Sequence, residues 1–155
     1  MEKGKPEKTA LVYAVDLLAR QEHSSGKLRE KLRSKGYEEE DIELAIRRLE
    51  EKRYLNDAEI CARQFRFLYD SSRNSVKQIC AKLLQRGFER SMIRDCIPED
   101  TGKREFQAAL RCLSIKFKPG ADQRKMLSSL SVKGFDADAA RRAVEEFSRE
   151  EEESE

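Results

Sequence analysis

The sequence predicts an all-α protein: three tandem three-helix repeats packed into an elongated, curved array. Three observations carry this reading. A short pattern recurs as Leu28-x3-Leu32-x3-Gly36-Tyr37, Ile79-x3-Leu83-x3-Gly87-Phe88 and Met126-x3-Leu130-x3-Gly134-Phe135, with the glycines 51 and 47 residues apart. Self-similarity at a nearly fixed period marks stacked units. Threonine occurs only at Thr9 and Thr101, valine is sparse, and no stretch alternates at period two long enough for a strand. Charged residues form 40% of the chain, against about 25% in ordinary globular domains, which suits narrow helical cores with much solvated surface.

The elements follow in order. Residues 1–9 read as a flexible segment. The first repeat, 10–53, opens with a helix near Ala10 to Arg20 that is apolar on most faces. Leu28 and Leu32, four apart, share one face of the next helix. Lys35 and Gly36 end it, since a cation suits the last turn and glycine suits the left-handed C′ position. Tyr37 folds back, acids from Glu38 to Asp41 start a third helix, and Ile42 and Ile46 face its core.

The second repeat, 54–100, begins with Asn56 and Glu59 as a capping box before Ile60, Phe65 and Leu68. It repeats the glycine turn at Arg86-Gly87-Phe88, with Ser91 as the polar start of its last helix and Ile93 and Ile97 on its core face. Pro98 stops that helix early. The third repeat, 101–149, has Phe106, Leu110, Leu113 and Phe117 at helical spacing, then Lys133-Gly134-Phe135, Asp136, Ala140 and Val144. The glutamate-rich end, 150–155, reads as a disordered acidic tail.

Catalytic chemistry has little material. His23 is the single histidine, and a structural or capping role is its reading. Cys61, Cys80, Cys96 and Cys112 lie 19, 16 and 16 residues apart, without the close ligand pairs of a zinc site. Cys96 takes the place of Ala45 and Ala143 and reads as a small buried filler. Four free thiols suit a reducing cytosol. No P-loop, dinucleotide-binding glycine pattern or H-E-x-x-H is present. No apolar stretch approaches the roughly 18 residues of a membrane span, and the first residues do not form a signal peptide. The expectation is a chain without catalytic residues, cofactor, metal or membrane segment.

Binding is the better expectation. The formal net charge is +2, and the five glutamates of residues 150–155 leave the rest of the chain at about +7. Basic residues cluster. Lys27, Arg29, Lys31, Arg33 and Lys35 flank the Leu28/Leu32 stripe; Arg63 and Arg66 lie one turn apart, as do Arg90 and Arg94. Arg47-Arg48, Arg124-Lys125 and Arg141-Arg142 are adjacent pairs. Singly, such residues solvate a helix face and cover it with their stems. As a recurring set they form a candidate surface for phosphate or an acidic partner. Aromatics do not interleave with them as on a base-stacking platform.

The run Ala14-x2-Leu17-Leu18-Ala19-Arg20-x3-Ser24-x3-Leu28-x3-Leu32-x2-Lys35-Gly36-Tyr37 resembles the opening motif of the RecX family. Leu49-x5-Leu55-Asn56-Asp57-x4-Ala62 resembles its second motif, and the likeness spans about residues 10 to 148. The resemblance implies a cytoplasmic regulator that binds the RecA recombinase, and the chain is expected to be a monomer. It would lodge in the groove of the RecA–single-stranded DNA filament and inhibit filament extension, ATPase, and recombinase and coprotease activity. Three positions depart from the pattern. Lys27 stands where the family commonly has an acid, Cys61 where it usually has an aromatic, and Arg53 where it often has a glycine. Two other readings of the residues stay open: a DNA-binding protein with helix-turn-helix-like repeats, and a helical-repeat adaptor for another protein.

Overall fold

The computed structural model describes residues 7–153, with side chains through Glu150. Among them are nine helices and no strand: α1 (Ala10–Arg20), α2 (Ser25–Ser34), α3 (Glu39–Glu51), α4 (Asp57–Ser71), α5 (Val76–Gln85), α6 (Arg90–Cys96), α7 (Gly102–Lys116), α8 (Gln123–Val132) and α9 (Ala137–Glu153). The all-α expectation holds. The glycine turns fall between α2 and α3, α5 and α6, and α8 and α9, and all three close alike. The amides of Tyr37, Phe88 and Phe135 donate to the carbonyls of Leu32, Leu83 and Leu130, at 3.2, 3.2 and 3.1 Å. The glycine amides donate to Arg33, Leu84 and Ser131. This pair of bonds requires a left-handed residue at the glycine, and φ there is 97°, 94° and 92°. α3 ends with the same two bonds, Tyr54 to Leu49 and Arg53 to Glu50, but the left-handed residue is Arg53, with φ 59°.

The chain divides into two compact units, Met1–Arg63 with Leu83–Ile93, and Gln64–Lys82 with Arg94–Glu155. In the first, α1, α2 and α3 pack together around Ala14, Leu28, Leu32, Ile42, Ile46 and Leu49, all buried. In the second, α7 and α9 pack along each other and α8 closes the core, which contains Leu113, Met126, Leu130, Phe135 and Val144. These are the periodic positions of the sequence pattern, so the period-3.6 spacing translates directly into burial.

Each unit contains a junction that joins the start of one helix to a glycine turn. In the first, the Ser24 hydroxyl accepts from the Lys27 amide and donates to the Arg86 carbonyl at 2.6 Å. The Asp57 carboxylate accepts from the Ser25 amide at 2.8 Å and the Ser25 hydroxyl at 2.6 Å. Gly26 lies against Gly87, so a Cβ on Gly26 would fall 2.5 Å from the Gly87 carbonyl oxygen. In the second, the Ser75 hydroxyl accepts from Gln78 and donates to the Lys133 carbonyl at 2.6 Å. The buried Glu105 carboxylate accepts from the Val76 amide at 3.1 and 3.2 Å. Arg104 pairs with Glu105 at 2.8 Å and donates to the carbonyls of Leu68, Tyr69, Ser72 and Asn74 around the end of α4. Its guanidinium also stacks over Tyr69, 4.9 Å from the ring centre.

Four expectations need correction. Residues 7–9 are tied down rather than free. Thr9 caps α1 by accepting from Val12, Lys8 pairs with Asp16, and the Tyr37 hydroxyl donates to the Lys8 carbonyl; residues 1–6 of the expected flexible segment lie outside the described residues. The acidic end is helical through Glu153, because glutamate favours helix and no breaker intervenes; residues 154–155 lie outside the described residues. Ser91 sits inside the first turn of α6 instead of preceding it. Cys96 is half-buried where Ala45 and Ala143 are buried, since α6 ends at that residue.

Candidate partner-binding surface

The basic residues that the sequence singles out separate into two groups. One group is engaged within the fold. Arg29 forms a two-pronged pair with Glu43 (Nε–Oε1 2.8 Å, Nη2–Oε2 3.3 Å) and also reaches Ser25, so it fastens α2 to α3. The bond to Glu43 also pushes its pKa further up. Arg33 pairs in the same manner with Glu39, and that hydrogen bond holds the Glu39 carboxyl below its ordinary range. Lys27 pairs with Glu30 and Arg63 with Glu22. Lys35 lies over the Tyr13 ring. Arg141 and Arg142 share Asp138, and Arg142 also covers Phe106.

Lys31 has an unforeseen partner. Its ammonium donates to His23 Nε2 at 2.8 Å, while His23 Nδ1 lies 2.7 Å from the Gln21 carbonyl. The carbonyl accepts only, so Nδ1 carries the proton and Nε2 is the acceptor. Burial, with Lys31 adding to it, holds the His23 pKa below its ordinary value, while the bond to Gln21 opposes the shift. The structural reading of His23 thus has a geometry: a neutral imidazole that bridges the end of α1 to α2.

The other group consists of Arg47, Arg48, Arg66, Arg90, Arg94, Arg124 and Lys125. All are exposed, and none has an ion-pair partner among the described residues. These cations can meet an outside anion without first breaking an internal bond. Arg48 borders a hollow of about 740 Å³ in the first unit, together with Glu38, Asp41 and the half-exposed Leu44.

The second unit holds a concave basic site that the sequence pattern missed. A hollow of about 840 Å³ is bordered by Arg73, Lys82, Arg111 and Lys133, with Glu150 as its sole acid. Of these cations, only Lys133 carried a sequence signal, as the basic residue before a repeated glycine. Arg73 lies in the loop between α4 and α5, and Arg111 on α7; no one-dimensional spacing joins them.

Among the described residues, no group of His, Cys, Asp and Glu side chains could hold a metal ion. No helix among them is long and apolar enough to cross a membrane. The two hollows and the exposed cations around them offer groups for ion pairing and hydrogen bonding.

Comparison with known proteins agrees with this architecture. Residues 10–49 match the family described as RecX, first three-helix domain. The regulatory protein RecX of Neisseria meningitidis serogroup C is 30% identical over 144 residues, covering 90% of this chain and 92% of that protein. The regulatory protein RecX of Pseudomonas tolaasii is 36% identical over 141 residues, covering 84% and 86%. The fold is similar to the crystal structure of RecX from Lactobacillus salivarius, with a TM-score of 0.75, 22% identity, and coverage of 89% of this chain and 94% of that one. With near-complete coverage on both sides and sequence identity at this level, the chain belongs to the RecX family of regulatory proteins.

Proposed function

We propose that this chain is a cytoplasmic, monomeric regulator that binds the groove of the RecA–single-stranded DNA filament. There it inhibits filament extension, ATPase, and recombinase and coprotease activity. The observation that carries this reading is family membership over nearly the whole chain. The unpaired cations Arg47, Arg48, Arg66, Arg90, Arg94, Arg124 and Lys125 support it, because a filament presents acidic protein surface and phosphates along its length. The three-repeat partition, 10–53, 54–100 and 101–149, belongs to the same reading, as does the absence of an enzymatic role. Bound along a polymer, a small regulator needs no cleft.

The test is RecA's DNA-dependent ATPase with the full chain titrated in. Inhibition is expected well below one molecule per recombinase subunit, because capping or bridging a filament takes few copies. Charge reversal belongs at Arg90 and Arg94, which hold nothing else in place. At Arg29 and Arg33 the same change would break the attachment of α2 to α3. Unchanged ATPase and filament length under a large excess of the chain would overturn the reading.

A further inference from the structure

We propose that the hollow of the first unit is a docking site for a basic–apolar segment of another protein, one that inserts an apolar side chain between flanking lysines or arginines. This goes beyond the filament reading, which concerns the exposed cations. The hollow, about 740 Å³, lies where the start of α1 meets the start of α3. Its apolar lining comprises Ala10, Leu11, Tyr37, Leu44 and Ala45. Leu44 is 54% exposed, although Ile42, Ala45 and Ile46 around it are buried. A single exposed leucine is ordinary. One that lies on a concave surface beside other apolar groups is an anchor point for an incoming side chain.

The walls are fixed in advance. The Tyr37 hydroxyl donates to the Lys8 carbonyl at 2.7 Å, and Thr9 caps α1. Tyr37 itself is set by the glycine turn, where its amide donates to Leu32, and its ring meets that of Tyr13 at 5.9 Å. The segment before α1 and the turn before α3 are thereby tied together, so docking orders little new backbone.

The charges on the lining select the partner. Glu7, Glu38 and Asp41 are exposed, and none has an ion pair or a hydrogen bond to its carboxylate among the described residues. Glu38 stands at the N-cap of α3 without forming a side-chain capping bond. The α3 dipole favours acids there but leaves their oxygens open. Of the two cations on the lining, Lys8 is taken by Asp16, and Arg48 is left unpaired among the described residues. Three open carboxylates against one open guanidinium give this hollow a negative rim, on a chain whose formal net charge is +2. An acidic segment would be repelled, and a wholly apolar one would cover carboxylates without pairing them. A segment with an apolar residue between cations satisfies both the floor and the rim.

The experiment is fluorescence anisotropy of a short labelled peptide of alternating leucine and lysine, with the full chain at low salt. A peptide with glutamate in place of lysine, and one with serine in place of leucine, serve as comparisons. The variants are Leu44→Ala, Glu38→Gln with Asp41→Asn, and Asp95→Asn with Glu99→Gln as a matched loss of two exposed acids elsewhere. Melting temperatures show whether each remains folded, and alanine at Leu44 keeps the helix propensity high. Leu44→Ala is expected to weaken binding of the leucine–lysine peptide roughly fivefold, the scale of re-exposing half a leucine side chain. Loss of the Glu38 and Asp41 charges should weaken it about fivefold, the scale of two exposed ion pairs, and the matched loss by less than about twofold. Equal losses for the two acid pairs, no loss with Leu44→Ala, or a comparison peptide that binds as tightly would each overturn the proposal. Sedimentation velocity without peptide tests a second copy as the occupant. Self-association of the wild type that Leu44→Ala abolishes would assign the hollow to that copy and overturn the proposal. Peptide binding that emerges only after residues 2–6 are removed would assign it to the start of this chain, with the same consequence.

Discussion

The two junctions solve one problem with different chemistry. In both, a serine hydroxyl bonds the carbonyl just before a glycine turn, and a carboxylate satisfies the amide at the start of the helix that the serine caps. A carboxylate there also complements the helix dipole. The first junction is built from small groups. Ser25 supplies a second bond to Asp57, and Gly26 allows the backbone to lie against Gly87. The second has Val76 and Lys77 at those places, so no hydroxyl is available and the approach is less close. Its carboxylate is buried, and a buried charge needs a partner. Arg104 supplies it and at the same time occupies the unsatisfied carbonyls at the end of α4. Small residues at one junction and a buried ion pair at the other serve the same contact.

The largest expected effect follows from that ion pair. Arg104→Met should destabilise the second unit by roughly 3–5 kcal/mol, because Glu105 is left buried and uncompensated. Asp57→Ala at the first junction should cost about 1 kcal/mol, the usual scale of a lost helix cap. Urea unfolding followed by circular dichroism measures both. Equal losses would show that the buried pair adds nothing beyond capping. Replacing Arg104 and Glu105 together by Met and Gln should recover part of the loss, since no unpaired charge remains.

The next effect compares glycines. At Gly87 a Cβ would lie 2.5 Å from Ser24 Oγ and 3.0 Å from the Lys27 amide nitrogen, whereas at Gly36 it would meet nothing within 4 Å. Both positions are left-handed. Gly36→Ala should therefore cost only the conformational penalty, about 1 kcal/mol. Gly87→Ala should cost roughly 3 kcal/mol, because overpacking adds to that penalty. Similar melting temperatures for the two variants would mean that the first junction yields without loss.

The glycine turns and the apolar stripes were legible in the sequence because both are local. A left-handed cap needs glycine at a fixed offset from a leucine-type residue, and burial follows the helical period. The junctions were not legible, since Ser24 meets Arg86 and Arg104 meets Asn74 across long stretches of chain. The candidate surface was legible in part for the same reason. Basic pairs can be counted along a helix, but which of them spend their charge on Glu43, Glu39 or His23 is decided by the neighbouring helix. The hollow bordered by Arg73 and Arg111 exists only in three dimensions.

Arg53 sharpens the glycine comparison from the opposite side. It occupies the left-handed cap position that glycine fills in the other turns, at φ 59°. Arg53→Gly should stabilise the first unit by about 1 kcal/mol, because the backbone penalty disappears while the two capping bonds of Tyr54 and Arg53 remain available. A lower midpoint in urea would show that the arginine side chain holds something more valuable than the strain costs.

The smallest effect separates the units by pH. His23 is buried in the first unit as a neutral ring, accepting from Lys31 and donating to Gln21, and the second unit has no histidine. Its folded pKa lies below its ordinary value of 6.5. In the unfolded chain the ring takes up a proton near that value, whereas the folded chain resists until lower pH. The unfolded state then binds more protons, so stability is full above about 6.5 and declines as pH falls through that value toward the folded pKa. Protonation would also place two cations at hydrogen-bond distance and remove the acceptor that Lys31 uses. Chemical unfolding between pH 7 and pH 5 should show this decline in the wild type, and His23→Gln should lack it while the rest of the pH profile is unchanged. A wild-type profile that is flat over this window, or identical in the variant, would mean that Lys31 and Gln21 hold the charged ring as well as the neutral one.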